Sequence, residues 1–529
     1  MRAVQGPLSE DGPRASNGGR GATLAGEQKP TYKPVRTHWV GRHRIVCDPQ
    51  VVDQSNVSAI LNAALMVHNV NAADIQTLHD YYLGMQSILS RPKDVRPEID
   101  NRVVENRADE IVAFKVGYLA GDPIKYVSRP SGATHGDLLK DADAQAHGVS
   151  TLNGVMEDCG KHAVDRDVVQ WAMECGVGYR LTLPTGDRGE PLLIRSLDPR
   201  GTLVVYANDA RGDRMMSATA TYREDGTISV WTVYTDRLCM ALDGQSLDVL
   251  SVVPHACGAV PVVEYPANSD RTGCFEKVMP LLDAINEVES DRVNGVQQFV
   301  QSLMVLKNVD LGKTPDERRA AFDELRDRGA IQIFDADSAK ADIELLTAEL
   351  SQNDTQTLVD HLYKTVLRIV GMPSNIGGAA STSDTGIAVT LRDGWSLTET
   401  RAKDYELFFK RSERQFLKMA CLHLRRTCGV GVEPSDVEIS FTRRNYENTQ
   451  GKAQVYVTLV QNGVPPTLAA EVSGISPDPE AFGDLVRQWS EQQQLATQAN
   501  PADASAAAGT GAGDGAGEGD ATPRKKQTQ

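Results

Sequence analysis

Leu311-Gly312-Lys313-Thr314 is the stretch that comes nearest to a phosphate-binding loop. Its Lys and Thr would reach nucleotide phosphates and a magnesium ion if a glycine-rich backbone wrapped those phosphates. A Walker loop needs a glycine five residues before Gly312, and position 307 is Lys, so the spacing predicts an ordinary loop. His255 and Cys257 lie close together, but Cys274 is distant and no fourth zinc ligand is at hand. Asp141 with Asp143, and Asp335 with Asp337, resemble the start of a calcium loop without its glycine at position six and glutamate at twelve. There is no Gly-x-Ser-x-Gly elbow, no glycine-rich dinucleotide fingerprint after a strand, and no carboxylate cluster suited to a metal-dependent nuclease. Arg211-Gly212-Asp213 reads as a turn between strands. The residues thus predict no catalytic constellation, no cofactor and no metal site.

Composition narrows the classes further. The 529 residues carry 55 Lys+Arg against 71 Asp+Glu, a net charge of −16. That balance argues against a free-standing sequence-specific DNA binder, which needs a basic surplus, and against a basic membrane-surface protein. No apolar run approaches the ~18 residues of a membrane span. The first twenty residues lack the apolar stretch of a signal peptide, so synthesis in the cytoplasm with no stable membrane association is expected. Eight cysteines are spread without a C-x-x-C pair, as expected of free, mostly buried thiols in a reducing compartment.

The elements that would position any site are helical at both ends of the folded part and β in the middle, an α+β pattern. Residues 1–36 and 493–529 are rich in Gly, Ala, Ser and Pro without periodicity, and are expected to be disordered. Apolar residues at helical spacing predict helices over 72–90, 101–119 and 149–173. From 177 to 265 the period becomes two, with turn signals between runs, which predicts a mainly antiparallel β region. A helix over 278–306 has Leu281, Ile285, Val288, Val296, Phe299, Leu303 and Leu306 on one stripe. Asp283, Glu287, Ser290, Asn294 and Gln298 lie opposite. Residues 311–351 read as a small α/β insert. A second helix follows over 352–370, with Leu358, Leu362, Val366 and Ile369 on one face, and Gly371-Met372-Pro373 stops it. After a small-residue stretch, a long helix runs over about 385–427. The last part, 437–492, has one strand and two or three short helices.

Several stretches resemble the portal proteins of tailed bacteriophages, the siphophage-type head-to-tail connectors. YYLGMQSILSR (81–91) and ENRADEIVAFKVGYLAGDPIKYV (105–127) are similar to the N-terminal region of that family. HACGAVPVVEYP (255–266) resembles its H-x-x-G-x-(I/V)-P-V strand. The following helix carries the family's spaced pattern as Asp283, Ala284, Asn286, Ser290, Asp291 and Asn294. GMPSNIGG (371–378) and TGIAVTLRDGWSLTETRAKDYE (385–406) resemble its channel loop and long helix. Thr385-Gly386-Ile387-Ala388-Val389 stands where S-G-x-A-L is usual. The stretch 443–482 is similar to the family's C-terminal region, with Tyr446 and Pro465 replacing its usual Pro and Ser. The resemblance spans about 45–490.

The resemblance implies a non-enzymatic subunit of a ring, usually of twelve copies, at one capsid vertex. Double-stranded DNA passes through it without sequence specificity. The partners it implies are further copies, the terminase large subunit, a head-completion or adaptor protein, and the major capsid and scaffolding proteins. The location it implies is the virion, after assembly in the host cytoplasm. It divides the chain into an arm (1–36), an α/β wing (37–277), a first stem helix (278–310), a small α/β clip (311–351) and a second stem helix (352–373). A channel loop (374–386), a long wing helix (387–436), a mainly helical crown (437–492) and a tail (493–529) follow. Ser374, Asn375, Gly377, Gly378, Ser381, Ser383 and Asp384 are then expected to ring the DNA, with Asp283, Glu287 and Asn294 facing the channel from the stem. Arg318, Arg319, Asp323 and Arg326 are expected to dock partners from the clip. The competing expectation is a packaging or DNA-processing enzyme, a terminase or nuclease. The missing Walker glycine and the lack of a carboxylate cluster weigh against it.

Overall fold

A computed structural model describes residues 41–93, 97–129, 138–187, 189–300, 303–307, 314–317, 319–320, 342–346, 352–373, 394–441, 449–476, 482–483 and 485–492. After a three-residue strand, β1 (Ile45–Cys47), comes helix α1 (Val57–Tyr82). Its buried residues step by three and four from Val57 through Ile60, Leu61 and Ala64 to Ile75, Leu78 and Tyr81, the amphipathic period of a helix. The first half of that stripe packs on one core and the second half on another, so α1 staples the two together. Expected over 72–90, this helix in fact starts fifteen residues earlier and ends at Tyr82, where Gly84 takes φ +92. Helix α2 (Arg107–Ala120) begins later than the apolar pattern suggested, because residues 101–106 are not helical.

The helix expected at 149–173 is two, α3 (Leu138–Asp158) and α4 (Lys161–Cys175). Gly160 at φ +66 breaks them apart. Gly176 at φ +87 then turns α4 into the β region. A Cβ there would sit 2.1 Å from the Arg271 carbonyl oxygen, so the close approach of the two backbones requires glycine.

The β region contains β3 (Val177–Pro184), β4 (Leu192–Leu197), β5 (Thr202–Ala207), β6 (Arg214–Tyr222), β7 (Ile228–Tyr234), β8 (Leu238–Asp243), β9 (Val249–Pro254) and β10 (Val262–Pro266), with β2 (Ile124–Ser128) before it. One sheet has the order β1-β5-β6-β7-β8-β9, and a second has β10-β3-β4. All of their pairings are antiparallel except β1 on β5. Arg211-Gly212-Asp213 is the turn between β5 and β6, where the Asp209 carboxylate accepts the N–H groups of Arg211 and Gly212. Mixed helices and antiparallel strands agree with the expected α+β class.

Helix α5 (Met279–Val300) is shorter than expected. Leu303–Lys307 is a strand, β11, paired antiparallel with β12 (Asp342–Leu346). Leu303 and Leu306 continue the helical stripe, but their partners across β12 lie about forty residues away, which local periodicity cannot register. Helix α6 (Gln352–Val370) returns alongside α5, and α7 (Trp395–Thr427) is the long helix, ~50 Å at 1.5 Å per residue. The expected start of α7 before residue 394 lies outside the described residues. Strand β13 (Val437–Phe441) pairs antiparallel with β2, so the C-terminal part begins inside the central body rather than as a separate unit. Helices α8 (Thr449–Gln461) and α9 (Pro466–Ser473) follow. No described helix is long and apolar enough to cross a membrane.

Candidate functional site: a helical hairpin and the segment bound along it

Three side chains one helical turn apart on α5 capture an extended segment. The N–H of Glu105 donates to Asn286 Oδ1 (2.8 Å), that of Val103 to Ser290 Oγ (2.9 Å) and that of Asn101 to Asn294 Oδ1 (2.7 Å). Four helical residues rise ~6.0 Å and two extended residues ~6.6 Å, so every fourth side chain meets every second amide. All three side chains are buried. Their oxygens answer backbone donors of a segment that has no helix or sheet partner of its own. Asn286 also donates to Gln86, whose amide donates to Asn106 Oδ1 (3.0 Å), which pins the end of the same segment.

The three expected stem residues differ in their surroundings. Asn294 is buried, and its carboxamide oxygen accepts from Asn101 of the same subunit. Asp283 is half-buried and accepts the Tyr81 hydroxyl at 3.0 Å. Burial raises the pKa of its carboxyl, outweighing the hydrogen bonds from Ser87 and Tyr81 that lower it. Glu287 stays exposed beside Asp291, and both meet Arg91, at 3.3 and 2.6 Å. The amphipathic pattern separated polar from apolar residues on α5; what covers the polar side was a tertiary matter.

Helix α6 packs on α5 and buries Val359, Val366, Leu367 and Val370 in the main core. The buried face is rotated from the expected one, since Leu358 and Ile369 are exposed and Leu362 is half-buried. Arg292 donates to Gln356 at 2.8 Å across the hairpin. Tyr363 donates to Glu110 at 2.6 Å, with the Arg107 guanidinium 4.1 Å over its ring, which joins the hairpin to α2. Val293 and Val296 on α5 and Leu358 and Ile369 on α6 remain exposed.

At one end of the hairpin lie β11 and β12. There Thr314 and Glu317 form a reciprocal cap: the Glu317 N–H donates to Thr314 Oγ1 (3.3 Å) and the Thr314 N–H to Glu317 Oε2 (3.1 Å). The Thr of the apparent phosphate loop thus starts a helix. Arg319 is exposed; Arg318, Asp323 and Arg326 lie outside the described residues. At the other end, Gly371 takes φ +70 and Gly394 φ +86. A Cβ on Gly394 would lie 3.9 Å from Pro373 Cα, so the end of α6 and the start of α7 lie side by side. Ser374, Asn375, Gly377, Gly378, Ser381, Ser383 and Asp384 all lie outside the described residues.

Helix α7 is tied to the body by a buried charged cluster. Glu413 accepts Arg180 Nη1 (2.7 Å), Lys161 Nζ (3.1 Å) and the hydroxyls of Tyr265 (2.6 Å) and Tyr126 (2.5 Å). Asp165 pairs with the same Arg180 and with Lys161, at 2.5 Å to the latter. Two cations balance two carboxylates with no exposure to water. Burial alone would raise the pKa of Glu413; Arg180, Lys161 and the two hydroxyls outweigh it and bring it down to about 2. Asp165 goes the other way, because burial outweighs the pull of Lys161 and Arg180. Sequence reading passed over these residues. The available signal was an Arg in the otherwise apolar strand run YRLTLP and a Lys–Asp pair four apart on α4.

The family model described as "Phage portal protein, SPP1 Gp6-like" matches residues 65–500, from within α1 through the last helix. The chain belongs to that family. A relative, the portal protein of Bacillus phage SPP1, is 26% identical over 212 residues, covering 39% of this chain and 39% of that protein. A solved structure titled "Neck of empty GTA particle computed with C6 symmetry" is similar with a TM-score of 0.38 at 11% identity, covering 73% of this chain and 95% of that one. The hairpin, the segment bound along it and most of the charged cluster's supporting elements lie inside the matched portion of this portal-family chain.

Proposed function

We propose that the chain is the portal subunit of a tailed phage, an assembly protein rather than a terminase or nuclease. Copies would form a ring, taken as twelve, at one capsid vertex, through which double-stranded DNA is packaged and ejected. The family match over 65–500 carries this reading. In its terms α5 and α6 are the stem, β11 and β12 belong to the clip, residues 374–386 form the channel loop, and the helices after β13 form the crown. The exposed Val293, Val296, Leu358 and Ile369 give the hairpin apolar surface for neighbouring copies, which suits a ring. Glu287, exposed beside Asp291, is the remaining candidate for a channel-facing acid. A net charge of −16 suits a conduit, because a wall that bound phosphates tightly would impede sliding. The clip, with Arg318, Arg319, Asp323 and Arg326, would meet the terminase large subunit during packaging and a head-completion protein later. Capsid and scaffolding proteins would surround the ring.

Negative-stain imaging of the purified chain tests the core of the proposal. Rings with a central hole, and native masses far above 57.4 kDa, are expected; monomers alone would refute it. Robust ATP hydrolysis abolished by Lys313→Ala would restore the enzyme reading. Arg318→Glu with Arg319→Glu should spare the ring and weaken terminase docking, and unchanged docking would place that surface elsewhere. Ser381→Lys or Ser383→Lys should spare assembly but slow packaging or impair DNA retention, most strongly at low salt, through an added phosphate contact per subunit. Wild-type behaviour at every salt concentration would remove the loop from the DNA path.

A further inference from the structure

The C-terminal half of α7 carries an outward stripe of cations. Arg411 and Lys418 are exposed and have no hydrogen-bond or ion-pair partner among the described residues. Arg414 lies between them on the same stripe, its Nη1 anchored on the carbonyls of Pro434 (2.6 Å) and Val437 (2.7 Å). The strand pair β2–β13 extends this surface. Tyr126 points inward, so the period of two places Lys125 and Arg129 on the outer face of β2, and Lys125 is exposed. Across the ladder stands Glu438, which Arg129, Arg414 and Lys410 share at 3.1, 3.5 and 3.9 Å. Three cations on one carboxylate leave the site overcompensated. Along α7, Lys410 with Arg414, Arg411 with Arg414 and Arg414 with Lys418 are also like-charge neighbours one turn apart, a mildly destabilising arrangement that an anion would relieve.

Across 124–129, 406–418 and 434–441 these six cations stand against Glu406, Asp436 and Glu438, the buried Glu413 having its own counter-charges. The chain as a whole is at −16, so the local surplus runs against its overall balance. The adjoining stretches 130–146 and 442–448 hold three cations and four carboxylates, too little to reverse it, and residues 1–40 are themselves basic, with six Lys and Arg against three acids. Residues 496–529 carry four scattered acids followed by Arg524, Lys525 and Lys526. The surface also lacks what a protein partner would use: no large apolar side chain within 124–129 or 408–441 is exposed, and Leu407, one turn before Arg411, is the nearest on α7. A protein interface is built around an apolar core, whereas phosphates need only cations and tolerate a wet surface. Arg411 and Lys418 are ~10.5 Å apart along the helix, a length over which duplex DNA presents about six charges.

We propose that this strip binds the phosphate backbone of double-stranded DNA without reading its sequence, through Lys125, Arg411 and Lys418. The inference deepens the portal reading above and rests on it. The test follows the fluorescence anisotropy of a labelled 15-bp duplex mixed with assembled rings of the full-length chain, from 50 to 300 mM salt. Two unrelated duplex sequences should bind equally. Affinity should fall with salt at a log–log slope of about −3, the value for three phosphate contacts. Arg411→Gln and Lys418→Gln should each weaken binding at least about threefold and flatten the slope by about 1. Arg237→Gln, which removes an exposed charge between β7 and β8, should change neither. All three substitutions are at exposed positions, and native mass reads ring formation separately. Rings that form normally but do not bind the duplex, or bind it undiminished after both strip substitutions, would overturn the strip and leave the portal reading standing. An equal loss in Arg237→Gln would overturn it too, by reducing the effect to net charge. Binding that appears only after removal of residues 496–529 would give the strip to the chain's own acidic tail. Rings that never bind DNA and fall apart when Arg411 and Lys418 are both replaced would give it to another copy; either result overturns the proposal. DNA binding through the strip by a chain that forms no rings would uphold the strip and overturn the portal reading.

Discussion

Replacing Glu413 by Gln removes one negative charge from a site that water does not reach. The shape is kept, but Arg180 and Lys161 then face Asp165 alone, and the cluster holds one uncompensated positive charge. Breaking a buried pair in this way costs about 3–5 kcal/mol. The titration of Glu413 leads to the same size: lowering its pKa from the ordinary 4.5 to about 2 corresponds to about 3 kcal/mol. A carboxyl whose folded pKa is depressed contributes stability above its unfolded pKa, and loses it as pH falls through the folded value. The contribution is thus complete above pH 4.5 and fades toward pH 2, with Asp165 giving a partly opposing slope because its pKa is raised. Urea titrations followed by Trp fluorescence over a pH series measure both effects. Glu413→Gln should lose about 3–5 kcal/mol near neutrality and flatten the acid limb. Adding Lys161→Met restores neutrality and should recover at least ~1 kcal/mol of that loss. Lys403→Met, which removes an exposed pair with Glu399 at 3.5 Å, should cost under ~1 kcal/mol. A loss below ~1 kcal/mol for Glu413→Gln, or no recovery in the double variant, would refute the account of the cluster as a charge-balanced anchor for α7.

Ser290→Ala should cost about 1–3 kcal/mol by orphaning the Val103 N–H, and hydrogen exchange should report faster exchange at 101–105 than in the rest of the body. Gly371→Ala requires a left-handed alanine and displaces the Arg401 stem, so a loss of about 1–3 kcal/mol is expected in thermal unfolding. In the native chain, iodoacetamide should label the exposed Cys428 first and leave the buried Cys175, Cys257 and Cys421 unmodified, as peptide mass mapping would show; burial that raises the thiol pKa compounds the lack of access.

Local patterns determined much of this protein. Period two named the β region, period 3.6 named most helices, and Gly371-Met372-Pro373 marked where α6 ends. Asn286, Ser290 and Asn294 belong to one of several stretches whose order and spacing along the chain pointed to the family. What those residues touch came only from the tertiary fold: an amide ladder to residues 101–105, itself a stretch whose apolar spacing had suggested helix. Leu303–Lys307 followed the helical stripe and still became a strand, because β12 supplied its ladder from far along the chain. Strand β13 likewise joined β2 across about three hundred residues. The cluster of Lys161, Asp165, Arg180 and Glu413 was invisible for the same reason. Hydrophobic periodicity encodes which side of an element avoids water, a property of neighbours three or four residues apart. Which distant backbone amide, strand or counter-charge then covers that side depends on chain topology, and single charges buried far from one another in sequence leave no periodic trace.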